Sequence, residues 1–255
     1  MRKFVLMLRT NLRLIALGAS FGALAAFIVA LPMAWVVPIV LRPSPGFDWQ
    51  TARGSVWNGA IEKVRTPFGI LDQITIHPAH GLALFSATPL RVGVHSAGLE
   101  ANGWVGTKRL RQMHLEAQLV SLAFSDARLQ GVLGTLKVDL EDLRYSRQAC
   151  EYAKGNVWTD VLRRNANTWN WSGPDLSGTV LCDAGDLVFE LNGEDSNQRI
   201  NAVLKLRFKG NYRADVTVFT RESSAQTLLP LLGFAKHEDS FTLVEEGRWS
   251  WQETQ

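Results

Sequence analysis

Hydrophobic and polar positions fall into two regimes along this chain. From Leu14 to Leu41, between Arg13 and Arg42, no charged side chain occurs. Crossing a bilayer core as helix takes about 20 apolar residues, so the run predicts a transmembrane helix with length to spare for tilt. Beyond it the pattern turns to period two, the mark of strands with one buried face. Met113, Leu115, Ala117 and Leu119 alternate with Gln112, His114, Glu116 and Gln118, and Leu136, Val138 and Leu140 alternate with Lys137, Asp139 and Glu141. Leu187, Phe189 and Leu191, then Ile200 to Phe208, then Tyr212 to Val218 repeat the pattern, with Lys209-Gly210-Asn211 as a hairpin turn, and predict a meander. Ile61 and Val64 after a turn, residues 70 to 76 and Phe241 to Val244 predict further strands. Ser223 to Leu232 has helical spacing cut short by Pro230, and predicts a short helix or turn.

The elements predict a mainly β chain: one N-terminal transmembrane helix followed by a curved antiparallel β-sheet with an apolar concave face. A closed sandwich core is the alternative, because alternation does not say whether protein or ligand fills that face. Residues 1–13 read as a cytoplasmic tail, 14–41 as the transmembrane helix, 42–53 as a stem broken by Pro43, Pro45 and Gly46, and 54–255 as the β domain. Arg2, Lys3, Arg9 and Arg13 precede the apolar run with no acidic residue, which keeps the N-terminus cytoplasmic and sends the rest outward. Trp35 lies near the outer end, where an indole sits at the headgroup level. The rival is a cleaved signal peptide, given the small-x-small form of Ala23-Leu24-Ala25. Cleavage there would leave the apolar stretch from Ala26 to Leu41 at the front of the product.

Within the run, Gly18, Gly22, Ala26 and Ala30 recur on one helix face, the spacing that lets two membrane helices pack closely and a route to a homo-oligomer. The bland alternative is that small residues are common in membrane helices. Gly18 to Gly22 also matches G-x-S-x-G, but inside an apolar helix the match is chance.

Charge changes the picture of partners. After the apolar run, 23 Lys and Arg stand against 24 Asp and Glu, so the outer part is nearly neutral and offers no stripe for phosphates; nucleic acid is excluded as a partner. The two cysteines, Cys150 and Cys182, fall on the outer side, where an oxidising compartment allows a disulfide; two buried thiols are the alternative. No catalytic, metal or cofactor pattern occurs. His77 and His80 flank Pro78 and cannot share a strand face, and adjacent Glu141 and Asp142 are expected on opposite faces of a solvated strand. Trp169 with Trp171, and Trp249 with Trp251, are each spaced to project from one strand face, as core or as an exposed aromatic patch. Gly54-Ser-Val-Trp57 and Gly155-Asn-Val-Trp158 hint at an internal duplication.

A charged start, one membrane helix, then Gly54-Ser-Val-Trp57-Asn-Gly59, and later Cys150, Gly155, Trp169, Trp171, Ser177-Gly178 and Cys182 form an ordered series. In this series the chain resembles protein N of the bacterial type II secretion system, over essentially its whole length. The resemblance implies a single-pass protein of the inner membrane whose C-terminal domain lies in the periplasm. It would be an accessory, non-catalytic scaffold or assembly factor, without cofactor, meeting other inner-membrane components of the secretion machine. More distantly the chain is similar to the N-terminal portions of AsmA-like envelope proteins, which implies the alternative of a lipid-binding or lipid-transfer β groove.

Overall fold

The computed structural model describes residues 30–41, 48–66, 69–79, 86–121, 131–146, 149–207 and 211–248. Fourteen strands form one open antiparallel sheet. The first twelve are β1 (Thr51–Ser55), β2 (Asn58–Thr66), β3 (Gly69–Pro78), β4 (Leu90–Ser96), β5 (Leu99–Val105), β6 (Arg109–Gln118), β7 (Thr135–Tyr145), β8 (Cys150–Thr159), β9 (Leu176–Asp183), β10 (Asp186–Glu194), β11 (Gln198–Leu206) and β12 (Asn211–Thr220). Each of these pairs with its sequence neighbour; β14 (Phe241–Arg248) then pairs with β12, and the two-residue β13 (Ala235–Lys236) lies outside it. Among the described residues four short α-helices accompany the sheet: α1 (Met33–Leu41), α2 (Val161–Arg164), α3 (Ala166–Trp169) and α4 (Ser223–Leu231).

The expected meander of β10, β11 and β12 forms, with Phe189 opposite Leu204 and Leu204 opposite Ala214. The arrangement is an open sheet rather than a sandwich of two. Among the described residues, apolar side chains on one face gather into three clusters, two of them meeting at Leu191. The first joins α1 to β2 through Met33, Val37, Ile61 and Val64. A second lies over β7 to β9, around Val138, Leu140, Leu143, Val157 and Val180. The third joins Trp171, Ile200, Val218 and Phe241 to Ala225 and Leu229 of α4.

Strict alternation is broken at defined points. Lys63 has φ 52° and Gln112 φ 47°, local conformations that place Ile61 with Val64, and Leu110 with Met113, on the same apolar side. Gln112 and Glu141 drop out of the β6–β7 ladder together, which pairs Arg111 with Asp142 and Met113 with Leu140.

Cys150 and Cys182 are bonded, with Cα atoms 5.5 Å apart. The β8–β9 ladder runs from Thr159–Leu176 to Gly155–Val180 and stops there. Past that point the disulfide and the Cys150 N–H, which donates to the Gly185 carbonyl at 2.8 Å, hold the two strands together.

Trp169 and Trp171 do not share a strand. Trp169 ends α3, Asn170 takes a left-handed conformation, and Trp171 turns into the third cluster at 4% exposure, its Nε1–H donating to Gln198 Oε1 at 2.7 Å. A sequence of Asn, Trp and Ala read as strand therefore folds as two helical turns. Trp249 and Trp251 lie outside the described residues, as do His80, positions 14–29 of the expected transmembrane helix, and with them Gly18, Gly22 and Ala26 of its expected packing face; Ala30 is an exposed turn residue. The duplication hint also dissolves, because Gly54 to Trp57 closes a hairpin whereas Gly155 to Trp158 lies inside β8.

Candidate functional site: a hairpin seat and a two-faced sheet

The Gly54-Ser-Val-Trp-Asn-Gly59 stretch makes the β1–β2 hairpin, with Ser55 opposite Asn58 and Gly54 opposite Gly59. Gly54 has φ +80°, where a side chain is strained, and a Cβ on it would meet the Asn58 carbonyl oxygen at 2.2 Å. At Gly59 a Cβ would come within 2.7 Å of the Ser55 carbonyl oxygen and 3.1 Å of Met33 Cγ. The missing side chain is thus the seat on which the start of α1 rests. The Val56 N–H donates to the Leu31 carbonyl at 3.1 Å, and Pro32 bridges Ser55, so the incoming chain is hydrogen-bonded to the hairpin turn. From there α1 presents Met33 and Val37, at 4% and 3% exposure, to the sheet and leaves Trp35 61% exposed. Asp48 then bridges Arg65 at the other end of the hairpin.

The cross-strand register draws two opposite rows. Ala52, Ile61, Ile74, Val94, Ala101, Leu115, Val138, Val157, Gly178, Leu191, Ala202, Val216 and Leu243 are successive partners, an apolar or glycine position on every strand but β13. One residue over, Thr51, Glu62, Gln73, His95, Glu100, Glu116, Lys137, Trp158, Ser177, Asn192, Asn201, Thr217 and Thr242 form the second row, polar except for Trp158. Pairing fixes the faces because side chains alternate with period two.

On the polar face an open trough of about 810 Å³ lies over β6, β7 and β8. Several of its charged groups are paired with one another. Arg109 donates twice to Asp142, at 2.6 Å each, His114 faces Asp139 at 2.5 Å, and Lys154 pairs with Glu141. The bonds from Arg109 hold the Asp142 carboxyl below its usual range against the opposing effect of burial, with Arg144 and Arg111 adding to the field. Glu141 and Asp142 both line this trough, contrary to their expected opposite faces, because the ladder skips Glu141. Each has its own cation, so they form ion pairs rather than an acid–base couple. Among the described residues no three His, Cys, Asp or Glu side chains gather as metal ligands, and His77 is an exposed strand residue.

A second polar construction, unseen in the sequence, fastens the α2–α3 corner to the start of β7. Asp160, 2% exposed, accepts from the Thr135 N–H at 2.7 Å and from Arg164 Nε at 2.8 Å. Asn165, also 2% exposed, donates to the carbonyls of Leu133 and Val161 and accepts from the Leu133 N–H. Only spatial neighbours reveal it, since the partners lie 25 and 32 residues apart.

A single open sheet with one apolar face, one polar face and a glycine-built hairpin defines an extended-sheet architecture. Residues 45–244 match the family model of type II secretion system (T2SS) protein N, and the chain belongs to that family. No curated protein and no solved structure matches it.

Proposed function

We propose that the protein is an accessory, non-catalytic scaffold of the type II secretion machine, held in the inner membrane by the apolar run after Arg13 with its sheet in the periplasm. Family membership supports the secretion role at the coarse level. The observation that carries the scaffold reading is how the two rows are used. The chain's own segments pack on the apolar face, α1 at one end and α4 with Leu162, Trp169 and Trp171 at the other. The polar face, with its exposed charges, is left for other inner-membrane components of the machine. Charge-patterned surfaces of this kind select partners and orient encounter.

One observation favours a second reading. Ala202, Leu204 and Leu206 on β11, with Ala214 on β12, belong to the apolar face yet are only half-buried, and pack into none of the three clusters. A strip of that kind fits an acyl chain, the lipid-binding alternative.

The test is purification of the full-length protein from its native membrane in mild detergent. Secretion components should accompany it, and Arg111→Gln combined with Lys137→Gln on the polar face, which removes two charges without opposing like charges across the ladder, should reduce their recovery while the melting temperature holds. Recovery of bound lipid with no secretion component would replace the scaffold by the lipid reading.

A further inference from the structure

We infer that the membrane span ends at Pro32, nine residues before the apolar run does, and that Met33–Leu41 is an extramembrane clamp seating the β1–β2 turn against the bilayer surface. The inference rests on the membrane reading proposed above and goes beyond it by fixing where the span stops and which end of the sheet meets lipid.

Three observations combine. First, α1 is committed to the sheet: Met33 and Val37 are buried in the cluster with Ile61 and Val64, and Gly59 is shaped to receive Met33. A helix with one face packed on a strand ladder cannot also have that face in acyl chains. Second, the direction of the chain is fixed. Leu31 and Pro32 contact Val56 and Ser55 at the turn of the hairpin, and after α1 Asp48 meets Arg65 at its open end. The chain therefore leaves toward the N-terminus at the turn, so the turn is the part of the hairpin nearest the membrane.

Third, length agrees. Taking α1 away leaves residues 14 to 32, which as helix span about 28 Å at about 1.5 Å per residue, against a hydrocarbon core of about 30 Å. The whole run to Leu41 would measure about 42 Å and demand a steep tilt. Nothing tilts if the surplus turns back along the sheet. At the hairpin turn stands Trp57, half-buried. An indole there suits the headgroup layer, as does the exposed Trp35 on the outer side of α1. The bilayer surface is thus the partner of the hairpin turn, and the spacing between them is set by Leu31 and Pro32 with no free stem.

The test uses the full-length protein in membrane vesicles with the periplasmic side outward. Cys150 and Cys182 are bonded and silent toward maleimide without reductant. Single cysteines at the exposed positions Ala34 and Trp35 should react with a membrane-impermeant maleimide at least about tenfold faster than Ala26→Cys, which bilayer lipid shields. In parallel, fluorophores on Asn58→Cys, at the turn, and Ile70→Cys, opposite Arg65 and seven residues farther along β2, should differ in quenching by headgroup-labelled lipid. The two sites are about 23 Å apart at about 3.3 Å per residue, and Asn58→Cys should be quenched the more. Protection of Ala34→Cys and Trp35→Cys equal to that of Ala26→Cys overturns the boundary, and equal quenching of the two hairpin sites overturns the orientation. Extraction of the unmodified protein by alkaline carbonate would instead overturn the membrane reading on which both depend.

Discussion

Gly59→Ala tests the hairpin seat most directly. The added methyl would stand 2.7 Å from the Ser55 carbonyl oxygen, 3.1 Å from Met33 Cγ and 3.2 Å from Met33 Sδ. Met33 is a flexible thioether and can move aside, but the Ser55 oxygen is backbone in the paired strand and can retreat only if β1 shifts from β2. Forcing a methyl into a packed site of this kind costs about 1–3 kcal/mol. Met33→Ala, which empties a side chain 4% exposed, costs about 2–5 kcal/mol by loss of burial and the cavity left. Because the two residues touch, the double variant should be less destabilised than the sum, with a coupling of about 0.5–1 kcal/mol or more. Urea unfolding of the four proteins, followed by tryptophan fluorescence and fitted with a common slope, measures all three quantities. Gly59→Ala within about 0.5 kcal/mol of the parent, the range of an ordinary surface change, would refute the steric account. A strictly additive cycle would refute the contact with Met33.

Cys150→Ser opens a bridge between residues 32 apart, which in the chain-entropy model removes about 3.7 kcal/mol of stability, and differential scanning calorimetry should show a clear fall in melting temperature. Burial raises the Asp160 pKa, but the bonds from Arg164 and the Thr135 N–H outweigh it, so the folded value lies below the unfolded one. Its stabilisation is therefore full above the unfolded value of about 3.9 and is lost as pH falls through the folded value; Asp160→Asn should flatten the acid limb of a stability–pH curve, and an unchanged limb would remove Asp160 from the account. Leu204→Asp places a carboxylate between Phe189 and Ala214 on the apolar face and should lower the urea midpoint markedly. A well-folded variant that loses co-purified lipid would count for the acyl-chain reading instead.

The sequence alone determined the class of fold and most of the faces. Period-two alternation at 113–117, 136–140, 187–191 and 200–218 is a local property, since a strand's neighbouring side chains point opposite ways whatever it pairs with. Family likeness was legible for the same reason: glycines and cysteines at fixed order mark backbone needs that survive without the rest. Tertiary structure decided what those needs were. That Gly59 makes room for Met33, 26 residues earlier, and that Val56 holds Leu31, follows from a helix laid back on the sheet, which hydropathy cannot distinguish from a continued span because both bury the same residues. Glu141 and Asp142 came to one face through a skipped ladder position that pairing across three strands created. Trp171 left the strand pattern for a core built from β9, β11, β12, β14 and α4, where Gln198, 27 residues along the chain, accepts its indole hydrogen bond, and Trp169 packs against the same core. Local pattern fixes which side chains want burial; only the assembled sheet supplies the partner that buries each one.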